Sequence, residues 1–127
     1  MPGPVLVDTS AWIEALRPQG DERVRREVRS AVEDGDAVFC DLVLLELWNG
    51  SGGDAERRYL SALERELRCL PTTAEVWRHS RELAIRCRGA GLSVPATDLL
   101  VAACAAHHGV TLLHRDRHFD QIAGLAT

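Results

Sequence analysis

A three-layer α/β/α sandwich on a short, mostly parallel sheet is the architecture this sequence predicts, and three observations carry it. Short apolar runs alternate with amphipathic segments from one end of the chain to the other. The stretches between those runs are long enough to hold helical crossovers, which parallel neighbours require. Acidic residues follow two of the runs closely, at the carboxyl edge where open α/β sheets gather ligands.

The elements follow in order. Val5-Leu6-Val7 reads as the first strand, and Ser10 to Leu16 as a short helix. Asp21 to Glu33 is helical, with Val24, Val28, Ala31 and Val32 as its apolar stripe. Ala37 to Cys40 is the second strand. The helix over Leu42 to Asn49 is broken by Gly50-Ser51-Gly52-Gly53. Asp54 can cap the next helix, whose Leu60, Leu63 and Leu67 lie on one side. A minimal strand follows at Cys69-Leu70. From about Thr73 a longer helix carries Val76, Trp77, Leu83, Ala84 and Cys87 before Gly89 and Gly91 end it. Pro95 opens Ala96 to His107, which is apolar almost all round and therefore expected to be buried, and Val110 to Leu113 is the last strand. There is no internal repeat and no linker long enough to divide the chain, so residues 1–127 are expected to form one domain.

Composition narrows the function. No apolar run approaches the ~18 residues of a membrane helix. Met1-Pro2-Gly3-Pro4 leads into the first strand with no secretory signal pattern, so a cytoplasmic protein with no membrane partner is expected. Cys40, Cys69, Cys87 and Cys104 are irregularly spaced in mostly apolar surroundings, which fits reduced thiols better than a disulfide framework or a zinc ribbon. A net charge of -4 argues against a generic nucleic-acid coat, whose affinity comes from a basic surface. All 15 basic residues are arginine, however, in groups able to grip phosphates bidentately where they line a cleft. The absence of lysine removes P-loop and Schiff-base chemistry. The histidines read as solvated or capping residues, although His114 and His118 fall where a helix begins and could meet there.

Asp8, Glu46, Asp98 and Asp116 carry the chemistry. Asp8 follows the first strand directly, Asp116 follows the last after two residues, and Asp98 lies in the first turn of its helix. Each of these three aspartates, taken singly, reads as a helix cap ahead of a ligand. Glu46 is expected on a face shared with Leu42, Leu45 and Asn49, where an unpaired charge is costly and a buried partner, an arginine or a cation, is needed. Carboxylates gathered at one edge repel one another unless a hard cation holds them, and oxygen ligands suit Mg²⁺ or Mn²⁺.

With these residues in view the chain resembles the PIN-domain ribonucleases, and within them the VapC-type toxins. Val5-Leu6-Val7-Asp8-Thr9-Ser10-Ala11-Trp12-Ile13 is similar to the family's opening motif, and Leu45-Glu46-Leu47-Trp48-Asn49-Gly50 to its second. Pro95-Ala96-Thr97-Asp98-Leu99-Leu100-Val101-Ala102-Ala103 and Arg115-Asp116-Arg117-His118-Phe119 resemble the third and fourth. The resemblance implies a PIN-like sandwich in which Asp8, Glu46, Asp98 and Asp116 bind one or two Mg²⁺ or Mn²⁺ ions, with Thr9 or Ser10 orienting them. The implied activity is endonucleolytic hydrolysis of RNA by a metal-activated water, leaving 5′ phosphates. It also implies a VapB-type antitoxin with an inhibitory tail, for which Trp12, Leu16, Leu47 and Trp48 are candidate contacts, and a homodimer within a toxin-antitoxin hetero-oligomer. Arg86, Arg88, Arg115 and Arg117 are candidate RNA-binding residues. The chain departs from the pattern before its last acid, where His114-Arg115 replaces a small hydroxyl or amide residue; His114 is a candidate to supply that hydrogen bond, and Asp120 is a further outer acid. Aspartyl-phosphate phosphohydrolases call for a second Asp where Ser10 stands, and phosphoreceiver domains for a lysine. The remaining alternative is a PIN-fold binding or scaffold module that has lost its chemistry.

Overall fold

In the computed structural model, which describes residues 3–125, the sheet grows outward from its first strand. Met1 and Pro2 of the expected lead-in lie outside the described residues. Strand β1 (Val5–Val7) pairs in parallel with β2 (Ala37–Cys40) on one side and with β4 (Thr111–Leu113) on the other. The order is β3-β2-β1-β4, with β3 (Cys69–Leu70) completing it in parallel beside β2. Leu6 and Val7 are fully buried, as is Phe39, because helices pack on both faces of so short a sheet.

The helices are α1 (Thr9–Leu16), α2 (Glu22–Glu33), α3 (Asp41–Asn49), α4 (Asp54–Glu66), α5 (Ala74–Gly89), α6 (Ala96–His108) and α7 (Arg117–Gly124). Helix α2 starts where Asp21 accepts the Val24 N–H at 3.0 Å and buries Val24, Val28 and Ala31, three of the four residues of its expected stripe. Helix α6 buries Leu99, Leu100, Val101, Ala103, Cys104 and Ala105, in keeping with its continuous apolar sequence. The chain then turns through Gly109 in the left-handed region (φ 66°). Val110, expected in the last strand, instead donates its N–H to the Ala105 carbonyl and belongs to the turn.

Other departures have simple causes. Asp54 lies inside the first turn of α4 and Gly53 occupies the cap position, so Asp54 acts on the helix dipole rather than as a cap. Trp77 of α5 is 50% exposed, because the buried row runs Val76, Ser80, Leu83, Cys87 and leaves Trp77 outside it. The four cysteines are free, and three are buried.

Candidate metal centre

The carboxyl ends of β1 and β4 are tied together where the Asp8 N–H donates to the Leu113 carbonyl at 2.9 Å. Asp8 is both the cap of α1 and a buried acid, 4% exposed. Its Oδ2 accepts the Ser10 N–H at 3.0 Å and the Ser10 hydroxyl at 2.6 Å, while Ser10 Oγ in turn accepts the Arg115 N–H at 2.9 Å. Ser10 therefore fixes the Asp8 carboxylate and also fastens the loop that carries Asp116. The Thr9 hydroxyl donates to Glu46 Oε1 at 2.7 Å.

Glu46 is half-buried rather than enclosed. The buried row of α3 is Val43 and Leu47, while Leu45, on the face expected to be internal, is 64% exposed. The expectation that Glu46 needs a buried counter-ion is thus corrected: its charge reaches solvent and Thr9.

Asp98, in the first turn of α6, and Asp116, the cap of α7, come together with a residue that was not expected to be a ligand. The Asp98, Asp116 and His118 ligand atoms all lie within 4.8 Å of one another. His118 Nδ1 stands 2.9 Å from Asp116 Oδ1 and 3.1 Å from Asp98 Oδ2. The His118 backbone N–H also donates to Asp116 Oδ1 at 2.9 Å. Burial, and then the neighbouring Asp116 carboxylate, push the Asp98 carboxyl up to about 6. Burial also acts to raise Asp116, but the His118 N–H, the Asp98 carboxyl and the His118 ring outweigh it and hold Asp116 below the ordinary carboxylate range.

The donor set fits a divalent cation. Two carboxylates share one small space, and His118 Nδ1 is buried with no aligned hydrogen-bond partner, a polar atom left without the bond that burial normally demands. Asp8 stands outside this tight group, near enough for its charge to raise Asp98; Glu46 also stands outside it.

The PIN domain family profile matches residues 5–125. Ribonuclease VapC11 of Mycobacterium tuberculosis is 31% identical over 122 residues, covering 94% of this chain and 91% of the relative. This chain belongs to the PIN-domain family, among the VapC ribonucleases. Its fold matches FitAcB from Neisseria gonorrhoeae with a TM-score of 0.76 and 26% identity, over 94% of this chain and 93% of that one. VapBC-5 of Mycobacterium tuberculosis, from the VapBC family of toxin-antitoxin systems, shares the fold with a TM-score of 0.66 at 24% identity, over 97% and 93% of the two chains.

The remaining site expectations for this VapC chain divide. His114 Nδ1 accepts the Asp116 backbone N–H at 3.2 Å, so it supplies the hydrogen bond left open by the sequence. Asp120 is 78% exposed and 3.8 Å from His114 Nε2, a solvated residue at the rim. Trp12 is 1% exposed and stacks on Phe39, a core position, which corrects its assignment as an antitoxin contact; Leu47 is 6% exposed, and its edge lines a surface cleft with Ile13 and Leu16. Arg86 is exposed on α5 and donates to the Leu125 carbonyl at 3.0 Å, just past the end of α7. Arg115 pairs with Asp21 at 2.9 Å. The available signal for His118 was its position two residues after the capping Asp116, where helical side chains tilt toward the N-terminus.

Proposed function

We propose that this chain is a divalent-metal-dependent endoribonuclease toxin, neutralised by a VapB-type antitoxin and acting at Asp98 and Asp116. The observation that carries the reading is the convergence of Asp98, Asp116 and His118 at the sheet's carboxyl edge, where burial first and the Asp116 carboxylate second push the Asp98 carboxyl up to about 6. Bound there, a divalent cation supplies positive charge against the phosphodiester and lowers the pKa of a coordinated water.

Asp98 and Asp116 hold that ion. Asp8, locked by Ser10, and Glu46, locked by Thr9, orient the surrounding shell, because groups that position ligands and waters tune such a centre nearly as strongly as the ligands themselves. A cleft of about 480 Å³ beside Asp116 is rimmed by Arg23, Arg115 and Arg117, cations suited to the phosphates flanking the scissile one. On the other side of the cluster, Arg88 shares a cleft with Leu92, Val94 and His118, whose apolar walls suit a base.

Restraint by an antitoxin accords with a second surface. Ile13, Leu16 and Leu45 are exposed, and Ile13 and Leu16 line a cleft of about 310 Å³ that runs to Thr9 and Glu46. An apolar helix seated there would have its tail beside the acids, where an arginine pairs best. Trp48 stays a rim contact, its indole N–H donating to Glu64 at 2.8 Å. Self-association with a second copy belongs to the same reading.

The test is cleavage of total cellular RNA by antitoxin-free protein with Mg²⁺ or Mn²⁺, beside EDTA and an Asp98→Asn variant of unchanged folding. Discrete fragments bearing 5′ phosphates, absent from both controls, are the expected result. Cleavage that survives in Asp98→Asn overturns the assignment of the site, and intact RNA in every lane leaves the binding module.

A further inference from the structure

We infer that His118 is a direct ligand through Nδ1, making the centre a carboxylate-carboxylate-imidazole face that takes Mn²⁺ in preference to Mg²⁺. The inference rests on the metal-dependent reading above and adds to it a nitrogen donor and a metal preference. Three observations carry it.

The first is the orientation of the ring. An imidazolium held only as an ion pair aims its N–H along a carboxylate lone pair, yet His118 Nδ1 is buried 2.9 Å and 3.1 Å from two carboxylate oxygens and aligned with neither. The second is spacing. One ligand atom from each of Asp98, Asp116 and His118 lies within 4.8 Å of the other two, close enough for a single ion to be reached by all three. The third is rigidity. Asp116 Oδ1 accepts the His118 backbone N–H in the first turn of α7, which ties that carboxylate to the residue bearing the ring, and the ring lines a cleft with Leu92, Val94 and Leu99. A donor held this way costs little ordering when the ion arrives.

The preference follows from donor chemistry. Mg²⁺ takes oxygen ligands and keeps its waters, whereas Mn²⁺, which also favours carboxylates, belongs to the transition-metal series whose N/O/S sites admit an imidazole nitrogen. To serve, His118 must present its Nδ1 lone pair and carry its proton on Nε2. Nothing in the four acids alone separates the two ions; the nitrogen does.

Mn²⁺ binding to the full chain is measured first, by loss of the free-ion electron paramagnetic resonance signal. Spin-echo spectra of the bound ion then report directly coordinated nitrogen. The expected result is a ¹⁴N modulation in the native protein that vanishes in His118→Gln, with Mn²⁺ affinity reduced at least ~10-fold and Mg²⁺ affinity far less affected. A melting curve of the variant confirms folding, and His108→Gln, which alters an imidazole at the opposite end of α6 from Asp98, keeps the modulation. Bound Mn²⁺ without ¹⁴N modulation, or modulation that persists in His118→Gln, overturns this inference and leaves the metal-dependent reading standing. Failure to bind Mn²⁺ at all overturns both.

Discussion

Ser10 shows how much of the centre depends on one small side chain. Its hydroxyl donates to Asp8 and accepts from the Arg115 backbone, so a single oxygen links the loop after β1 to the loop after β4. Ser10→Ala removes a hydrogen bond to a charged acceptor and leaves the Arg115 N–H without its partner, an expected loss of ~1.5–3 kcal/mol in a denaturant melt. Metal affinity should fall ~10–100-fold in the same variant, and an unchanged affinity would show that Asp8 needs no such support. Asp98 gives a second prediction at this scale. Its carboxyl lies near 6 in the folded chain against 3.8 ordinarily, so the metal-free protein keeps a proton that the unfolded chain releases. That contribution is fully present below pH ~4 and is lost as the pH rises through about 6. Asp116, held low, acts in the opposite sense and only at more acid pH. Melting temperatures in EDTA from pH 4 to 7 should therefore include a downward component that Asp98→Asn abolishes; an identical profile in the variant would remove Asp98 as its source.

At the scale of elements, the α1-α2 connection is tied to the loop that carries Asp116 through the Asp21–Arg115 pair. Glu14, 8% exposed, accepts the Asp21 N–H at 2.7 Å and pairs with Arg17 at 2.8 Å. The Asp21 N–H, and to a lesser degree Arg17, hold its carboxyl below the ordinary range despite burial. Gly20 completes the turn, because a Cβ there would lie 1.7 Å from the Glu14 carbonyl oxygen, a backbone atom that cannot step aside. Gly20→Ala should destabilise the fold by ~1–3 kcal/mol and disturb Asp21, whose other oxygen holds Arg115; thermal melts test it, and a variant as stable as the native chain would mean the turn yields freely. These details explain what sequence reading reached and what it missed. The strands and most helix limits were legible because period, caps and glycines agree locally, as at Asp21, Thr73 and Gly50. Helical phase was less legible in α1, α3 and α5. An apolar helix such as Asp-Leu-Val-Leu-Leu-Glu-Leu-Trp-Asn offers more than one face to bury, and only packing against the sheet selects Val43 and Leu47 over Leu42 and Leu45.

Across the whole molecule, the ends of β1 and β4 and the starts of α6 and α7 bring charge together that the fold itself does not neutralise. Three of the acids declared themselves by following strands or opening a helix; His118 did not, because its role depends on where α6 comes to lie against α7. The arginines answer little of that charge: Arg115 is paired with Asp21, and Arg17 with Glu14, away from the cluster. A cation that binds the folded chain and not the unfolded one should then stabilise the entire domain, by ~2.7 kcal/mol at a hundred times its dissociation constant. For a chain of 127 residues that corresponds to a rise in melting temperature of roughly 10 °C. Mn²⁺ titrated into EDTA-treated protein at pH 7 should produce it, Asp98→Asn should lose most of it, and Asp120→Asn, altering only the exposed rim, should retain it. Equal shifts in all three proteins would mean that the ion binds elsewhere and that the converging acids serve only as helix caps.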